Sequence, residues 1–380
     1  MPRILILHAT VGSGHKSAAE ALAAAFERLP DSEVKVDDAL DYANQFFRNA
    51  YTRSYLELSQ KAPLVWQMVY ETTDADESEW TPLWSRLRGL AAELTLTNLK
   101  RMIRRFKPSA IVCTHFLPAE LMMRLKLDGE LRVPTYTVIT DHAVHSQWIT
   151  PGVDGYFVAS EFPRELMVAR GVAPAIIHVT GIPVNPEIAT PKDPAEVRAR
   201  HGLPAEGAVV SLFGGGLSVA RVRRIVLGLV RIEQPGTLVV VAGRNAELPR
   251  ALAGIRGGPR MDLRVLGQID FVDDLVAASD LVITKSGGLI VSEVLARGAP
   301  LVVVDPIPGQ EEWNADYLIS SGAGVQLRLP DWVPWTVAQL LADRERMAIL
   351  RDHARRAGRP NAARDIAECV ANDLRANRIL

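Results

Sequence analysis

Ile283-Thr-Lys-Ser-Gly-Gly-Leu-Ile-Val-Ser-Glu-Val-Leu-Ala296 is the stretch whose reading decides the fold. An apolar run, two glycines and a second apolar stretch predict a strand, a tight turn and a helix start. At such a junction the first helical N–H groups have no partner within the helix, so Ser286, Gly287, Gly288 and Leu289 can offer them to a diphosphate. Glu293 lies five residues after Gly288, within reach of a ribose, although a solvated surface glutamate would look the same in isolation. At the next strand end stands Pro308-Gly-Gln-Glu-Glu-Trp-Asn314, where Gly309, Gln310, Glu311 and Asn314 can hold a sugar.

Short β-rich runs and helical stretches alternate in both directions from this point. Strands are expected at Arg3–His8, Val34–Asp37, Ala110–Thr114, Thr135–Thr140, Gly155–Ala159 and Ile176–Thr180. A second series follows at Val209–Phe213, Thr237–Ala242, Leu263–Leu266, Leu281–Thr284 and Leu301–Val304. This alternation implies α/β architecture with parallel sheets. The pattern restarts after Gly181-Ile-Pro-Val-Asn-Pro186. The expected division is therefore a Rossmann-like domain over 1–184, a second over 185–332, and C-terminal helices over 333–380 that pack back toward the first.

At 380 residues the chain is long for one core, which favours two domains. A net charge of −1 argues against a global nucleic-acid field. Two cysteines, Cys113 and Cys369, cannot build a disulfide framework or a cysteine zinc site and suit a reducing cytosol. No apolar run approaches the roughly 20 residues that span a bilayer. A membrane would be met from its cytoplasmic side, by a peripheral protein.

The first strand leads into His8-Ala-Thr-Val-Gly-Ser-Gly-His15-Lys-Ser17. A phosphate loop of the Walker type needs Lys directly after Gly, and His15 separates Gly14 from Lys16. A dinucleotide fingerprint would place a third glycine where Ser17 stands, although Asp37 does close the next strand. The third reading makes His15, in the first turn of a helix, a side chain kept neutral by that terminus and suited to general-base work. A simple polar helix-start residue is also compatible.

His115 follows a later strand, and Thr140-Asp141-His-Ala-Val-His145-Ser-Gln-Trp148 the one after it. Asp141 should lie at the same sheet edge as His15. Histidines beside an acid raise the question of a metal, but no paired-histidine or carboxylate-rich helix accompanies them, and polar residues lining an acceptor pocket fit better. In the second half, Phe213-Gly214-Gly215-Gly216 can admit a phosphate close to the backbone. Arg244 and Asn245 end the next strand, and Ile269 to Phe271 can pair a uracil edge.

One region breaks the rhythm. Residues 42–107 read as a helical insertion carrying Tyr42, Phe46, Phe47, Tyr51, Tyr55, Trp66, Tyr70, Trp80 and Trp84, with the basic end Lys100-Arg-Met-Ile-Arg-Arg-Phe-Lys107. It is either a packed helical hairpin or an interfacial surface.

Taken together, Gly12-Ser-Gly-His15, Pro63-Leu-Val-Trp66 with Tyr70, Thr140-Asp141 with His145 and Trp148, Gly181-Ile-Pro183, Ile283 to Glu293, and Pro308 to Asn314 resemble the monogalactosyldiacylglycerol synthases and bacterial diacylglycerol glucosyltransferases. These are relatives of the peptidoglycan GlcNAc transferase. The resemblance implies the GT-B fold, two Rossmann-like domains facing a cleft. It implies His15 as general base and Asp141 as a functional acid in the acceptor half. It also implies Gly287 and Gly288 on the diphosphate, Glu293 on the ribose, and Gln310 and Glu311 on the donor sugar. Gly14, Trp66, Tyr70, His115, His145 and Trp148 fall on the acceptor and lipid side. No metal and no cofactor are implied, because the UDP-sugar enters as substrate. Ser286 stands where the family usually has proline, and Leu217 where many relatives have glutamate.

The expected activity is inverting transfer of glucose or galactose from a UDP-hexose to diacylglycerol at the inner face of the membrane. The expected partners are the UDP-hexose, a lipid acceptor and that membrane surface, with no nucleic acid. A UDP-GlcNAc 2-epimerase and a non-catalytic UDP-sugar-binding clamp are the alternatives on the same architecture.

Overall fold

The computed structural model describes residues 2–10, 13–30, 32–43, 63–74 and 97–376, with single positions at 45, 48 and 49. Gly12 of the histidine loop lies outside them, as do Phe46, Phe47, Tyr51, Tyr55, Trp80 and Trp84 of the aromatic insertion.

The chain divides into two units. The first gathers residues 1–187, 307–310 and 361–380, and the second 188–306 and 311–360. Each is built on a six-stranded, wholly parallel sheet.

In the first unit the strands are β1 (Arg3–His8), β2 (Glu33–Asp38), β3 (Ala110–Cys113), β4 (Thr135–Val138), β5 (Gly155–Val158) and β6 (Ile177–Val179). Their order across the sheet is β2-β1-β3-β4-β5-β6. A parallel sheet is covered on both faces, so its inner strands carry unbroken apolar runs. Ile4 to Leu7 are all within 1% of complete burial. Helix α1 (Gly14–Phe26) is alanine-rich because it is pressed closely on one face. Its Ala19, Leu22 and Phe26 share a core with Ile4, Ile6, Val112 and Phe157. The last helix supplies Ala363, Ile366, Val370 and Leu374 to that same core. Phe26→Ala would cost about 3–5 kcal/mol there.

Further helices of the first unit are α2 (Pro63–Asp74), α3 (97–106), α4 (Phe116–Leu127) and α5 (Glu161–Ala169). The basic stretch predicted to end the insertion forms α3. Leu99, Ile103 and Phe106 turn into the core, while Lys100 and Arg104 reach Glu130 at 2.6 and 3.3 Å. Its pattern is therefore that of an amphipathic packing helix with a solvated cationic side.

The second sheet runs β12-β11-β10-β7-β8-β9. Its strands are β7 (Ala208–Phe213), β8 (Gly236–Val241), β9 (Met261–Leu266), β10 (Leu281–Thr284), β11 (Leu301–Val304) and β12 (Gly324–Leu327). Helix α6 (Pro194–Arg200) leads into β7, and α7 (Val219–Leu229), α8 (Glu247–Leu252), α9 (Val272–Ala278), α10 (Gly288–Ala296) and α11 (Gln310–Ser320) connect the strands. The C-terminal helices divide between the units. In α12 (Trp332–Ala342) and α13 (Arg344–Ala357), Val333, Val337, Leu340 and Met347 enter the second core, whereas α14 (Ala362–Ala376) closes the first.

Candidate functional site

His15 occupies the first turn of α1, directly after β1. The N-cap residue, Ser13, makes no side-chain cap hydrogen bond, so the helix opens with unshared amides. The imidazole is enclosed by the ends of β3 and β4. Its Nδ1 lies 2.9 Å from the Thr114 carbonyl and 2.9 Å from Thr140 Oγ1. A carbonyl only accepts, so Nδ1 carries the proton and Nε2 carries the lone pair. Burial holds the imidazole pKa down at about 4; the Thr114 contact opposes that, and nearby His8 adds to it. The sequence argument credited the helix terminus with keeping His15 neutral, but the first cause is desolvation. Thr114 returns a second bond, donating Oγ1–H to the His15 carbonyl at 2.9 Å.

Behind His15 stand His115 and Trp148, with ring centroids 4.5 and 6.1 Å away. Both are buried. His115 is the N-cap of α4, its Nδ1 accepting from Leu117 N at 3.0 Å. His145 caps the short turn Ser146–Trp148 in the same way, accepting from Gln147 N at 3.1 Å. Its Nε2–H donates to the Tyr70 carbonyl at 2.9 Å. These histidines thus spend ring nitrogens on backbone groups, and Trp148 belongs to an apolar cluster with Ile139 and Tyr156.

Asp141, next to Thr140 in the chain, is 5% exposed. Its two oxygens accept from Gln310 Nε2 at 2.8 and 2.9 Å. Gln310, expected on the sugar, thus orients the acid. Gly309 beside it has φ +85°, and a Cβ there would lie 2.7 Å from the Tyr70 ring, so only glycine fits. Asp37, the residue that kept a dinucleotide reading open, is tied to Lys35 and the Tyr42 hydroxyl.

In the second unit the expected β10–turn–α10 junction is present. Gly287 is the N-cap of α10 and no side chain caps its amides. Ser286 is fully buried and donates to the Glu311 carbonyl at 2.6 Å, fixing the turn to the start of α11. Lys285, which sequence reasoning passed over, pairs with Glu311 at 3.2 Å, both side chains being 16% exposed. Leu289 is half-buried, and Asn314 is wholly buried in α11. Glu293, sixth in α10, is half-buried, and its carboxyl is pushed up to about 7, first by burial and then by the charge of Asp273.

The other glycine loop follows Phe213, which packs partly into two core clusters. A Cβ on Gly215 would come 2.7 Å from the Ala242 carbonyl, so the β7 and β8 loops touch backbone to backbone. Gly214 sits just before, against Val222 and Leu248. Asn245 is a helix-capping residue, its Oδ1 accepting from Glu247 N and Leu248 N at 3.1 and 3.3 Å, while Arg244 is exposed. Ile269 and Phe271 lean on the core, and Phe271 stacks on His201 at 4.3 Å. Among the described residues no cluster of three His, Cys, Asp or Glu side chains is placed to hold a metal ion. None of their helices is long and apolar enough to cross a membrane.

Comparison with known proteins bears on this arrangement. Residues 15–184 match the family model for monogalactosyldiacylglycerol (MGDG) synthase. A processive diacylglycerol beta-glucosyltransferase of Bacillus pumilus is 24% identical, the match covering 99% of this chain and 96% of that protein. The Bacillus cereus (strain B4264) protein of the same description is 28% identical, covering 97% and 93%. Among solved structures, MurG of Acinetobacter baumannii superposes with a TM-score of 0.66 at 16% identity, over 98% of this chain and all of that one. A UDP-N-acetylglucosamine 2-epimerase, so described for Listeria monocytogenes, gives 0.62 at 16% identity, over 96% and 94%. The structural likenesses establish the GT-B fold, which serves transferase and epimerase alike. The sequence matches go further: over residues 15–184 the chain is similar to the MGDG synthases, and over nearly its whole length to the bacterial diacylglycerol glucosyltransferases.

Proposed function

We propose that the protein transfers a hexose from a UDP-hexose to the free hydroxyl of diacylglycerol, with inversion, and that it does so as a peripheral protein at the inner face of the membrane. The observation that carries this reading is the state of His15. Its Nδ1–H is committed to the Thr114 carbonyl, and its Nε2 is held neutral by burial. A buried imidazole with one lone pair available is built to receive a proton from an alcohol.

In the proposed reaction Nε2 of His15 takes the hydroxyl proton while the acceptor oxygen attacks the anomeric carbon. Asp141, held by Gln310, orients the acceptor. The uncapped amides at Gly287 and Gly288 receive the charge that develops on departing UDP. Glu293 accepts from the ribose hydroxyls. Glu311, Asn314 and the Gly309 loop hold the sugar. The β7 loop at Phe213–Gly215, with Arg244 beyond it, faces the phosphates, and Ile269 and Phe271 take the uracil. Gly14, Trp66, Tyr70, His115, His145 and Trp148 shape the acceptor side. No cofactor or metal enters any step.

The test is UDP release from UDP-glucose, UDP-galactose and UDP-GlcNAc, with and without diacylglycerol in mixed micelles. Release that depends on both a UDP-hexose and diacylglycerol is the expected result. Formation of an epimer from UDP-GlcNAc alone, or binding without turnover, would replace this reading with an epimerase or a clamp.

A further inference from the structure

Five polar contacts converge between the end of α2 and the loop that follows β4. Asp74, the last residue of α2, accepts from Arg170 Nη1 at 3.0 Å and Nη2 at 2.9 Å. The same carboxylate accepts from the Ser146 backbone N–H at 2.7 Å. Arg170, just past α5, also donates from Nη1 to the Val144 carbonyl at 2.9 Å. One helical turn before Asp74, the Tyr70 carbonyl accepts from His145 Nε2 at 2.9 Å, and the two rings lie 4.5 Å apart. The Asp74 and Arg170 side chains are 16% and 26% exposed, so this two-pronged ion pair is largely withdrawn from water and charge-assisted.

We propose that Asp74 and Arg170 are positioning residues that latch α2 in register with His15 and so set the binding of the lipid acceptor. The inference rests on the transferase reading above. Two features distinguish the latch from a general fold contact. The loop it grips, residues 140–148, begins with Thr140 on His15 and with Asp141. The helix it holds keeps an apolar side toward solvent, with Val65 51% and Met68 68% exposed one turn apart. A surface suited to acyl chains is thereby fixed to the segment that orients the base. Without the pair, α2 keeps the Tyr70–His145 contacts but loses the carboxylate that ties its end to Ser146 and Arg170.

The experiment compares wild type, Asp74→Asn, Arg170→Met and the exchange Asp74→Arg/Arg170→Asp. Steady-state kinetics are run against diacylglycerol in mixed micelles, and UDP-hexose affinity is read by calorimetry. The single variants should raise the KM for diacylglycerol about ten-fold or more while UDP-hexose affinity stays within two-fold. The exchange should recover part of the loss. An unchanged acceptor KM in Asp74→Asn, or an equal loss of donor affinity, would overturn the latch and leave the transferase reading intact. A wild-type protein that ignores diacylglycerol would overturn both.

Discussion

Lowering the pH from 8 to 6 should weaken UDP-hexose binding about ten-fold, and Glu293→Gln should remove that dependence. The Glu293 carboxyl is displaced from its ordinary 4.5 to about 7, chiefly because burial disfavours the charged form and secondly because Asp273 repels it. A group with that pKa is about one-tenth ionised at pH 6 and about nine-tenths at pH 8. If the carboxylate is the form that accepts from the ribose, apparent affinity scales with that fraction. A UDP-hexose keeps its own charge through this window, so the change reports the protein. Stability moves the other way. The folded pKa lies above the unfolded one, so the folded state binds more protons between about pH 4.5 and 7, and stability falls as pH rises through that range. Glu293→Gln should therefore exceed wild type in unfolding free energy by about 1–3 kcal/mol at pH 8 and match it near pH 5. Calorimetric titration at the two pH values and urea unfolding of both proteins give the comparison. Equal donor affinity at pH 6 and pH 8, or a variant that keeps the wild-type slope, would refute the placement of Glu293 on the donor.

Other consequences can be measured alongside. Thr140→Val removes one of the two oxygens at His15 Nδ1 and should lower turnover about ten-fold with UDP-hexose affinity unchanged, as single-turnover and binding assays can establish. With its pKa near 4, His15 stays neutral throughout the working range, so turnover at saturating donor should not fall between pH 8 and 5, while kcat/KM for the donor declines below about 7 with Glu293. Gly215→Ala sets a Cβ against the Ala242 carbonyl and should cost about 1–3 kcal/mol in denaturant unfolding of the second unit.

Much of the fold was legible because buried parallel strands must be written in apolar, β-branched runs, as at Arg3–His8 and Leu281–Thr284. The exception is β12, a four-residue strand that begins with Gly324 and carries Gln326, too short and too polar at one face to stand out. Of the candidate site, the glycine turn before α10 was readable because its chemistry is local. Ring nitrogens were not. His115 and His145 look like pocket residues in a sequence, yet each spends Nδ1 on the turn that follows it. The position of each just before a helix or turn was the available signal. Asn245 belongs to the same class. Asp74 and Arg170 carried no signal at all, being ordinary charges 96 positions apart until the fold joins them.

The central claim is that an imidazole in the first unit, neutral and oriented by the Thr114 carbonyl, takes the proton of the attacking alcohol. The measurement that bears on it most directly is turnover and UDP-hexose affinity of His15→Ala in one preparation. The expected result is donor affinity within two-fold of wild type and a loss of about 10²–10⁴ in the rate of diacylglycerol glycosylation. Wild-type turnover in that variant would contradict the account.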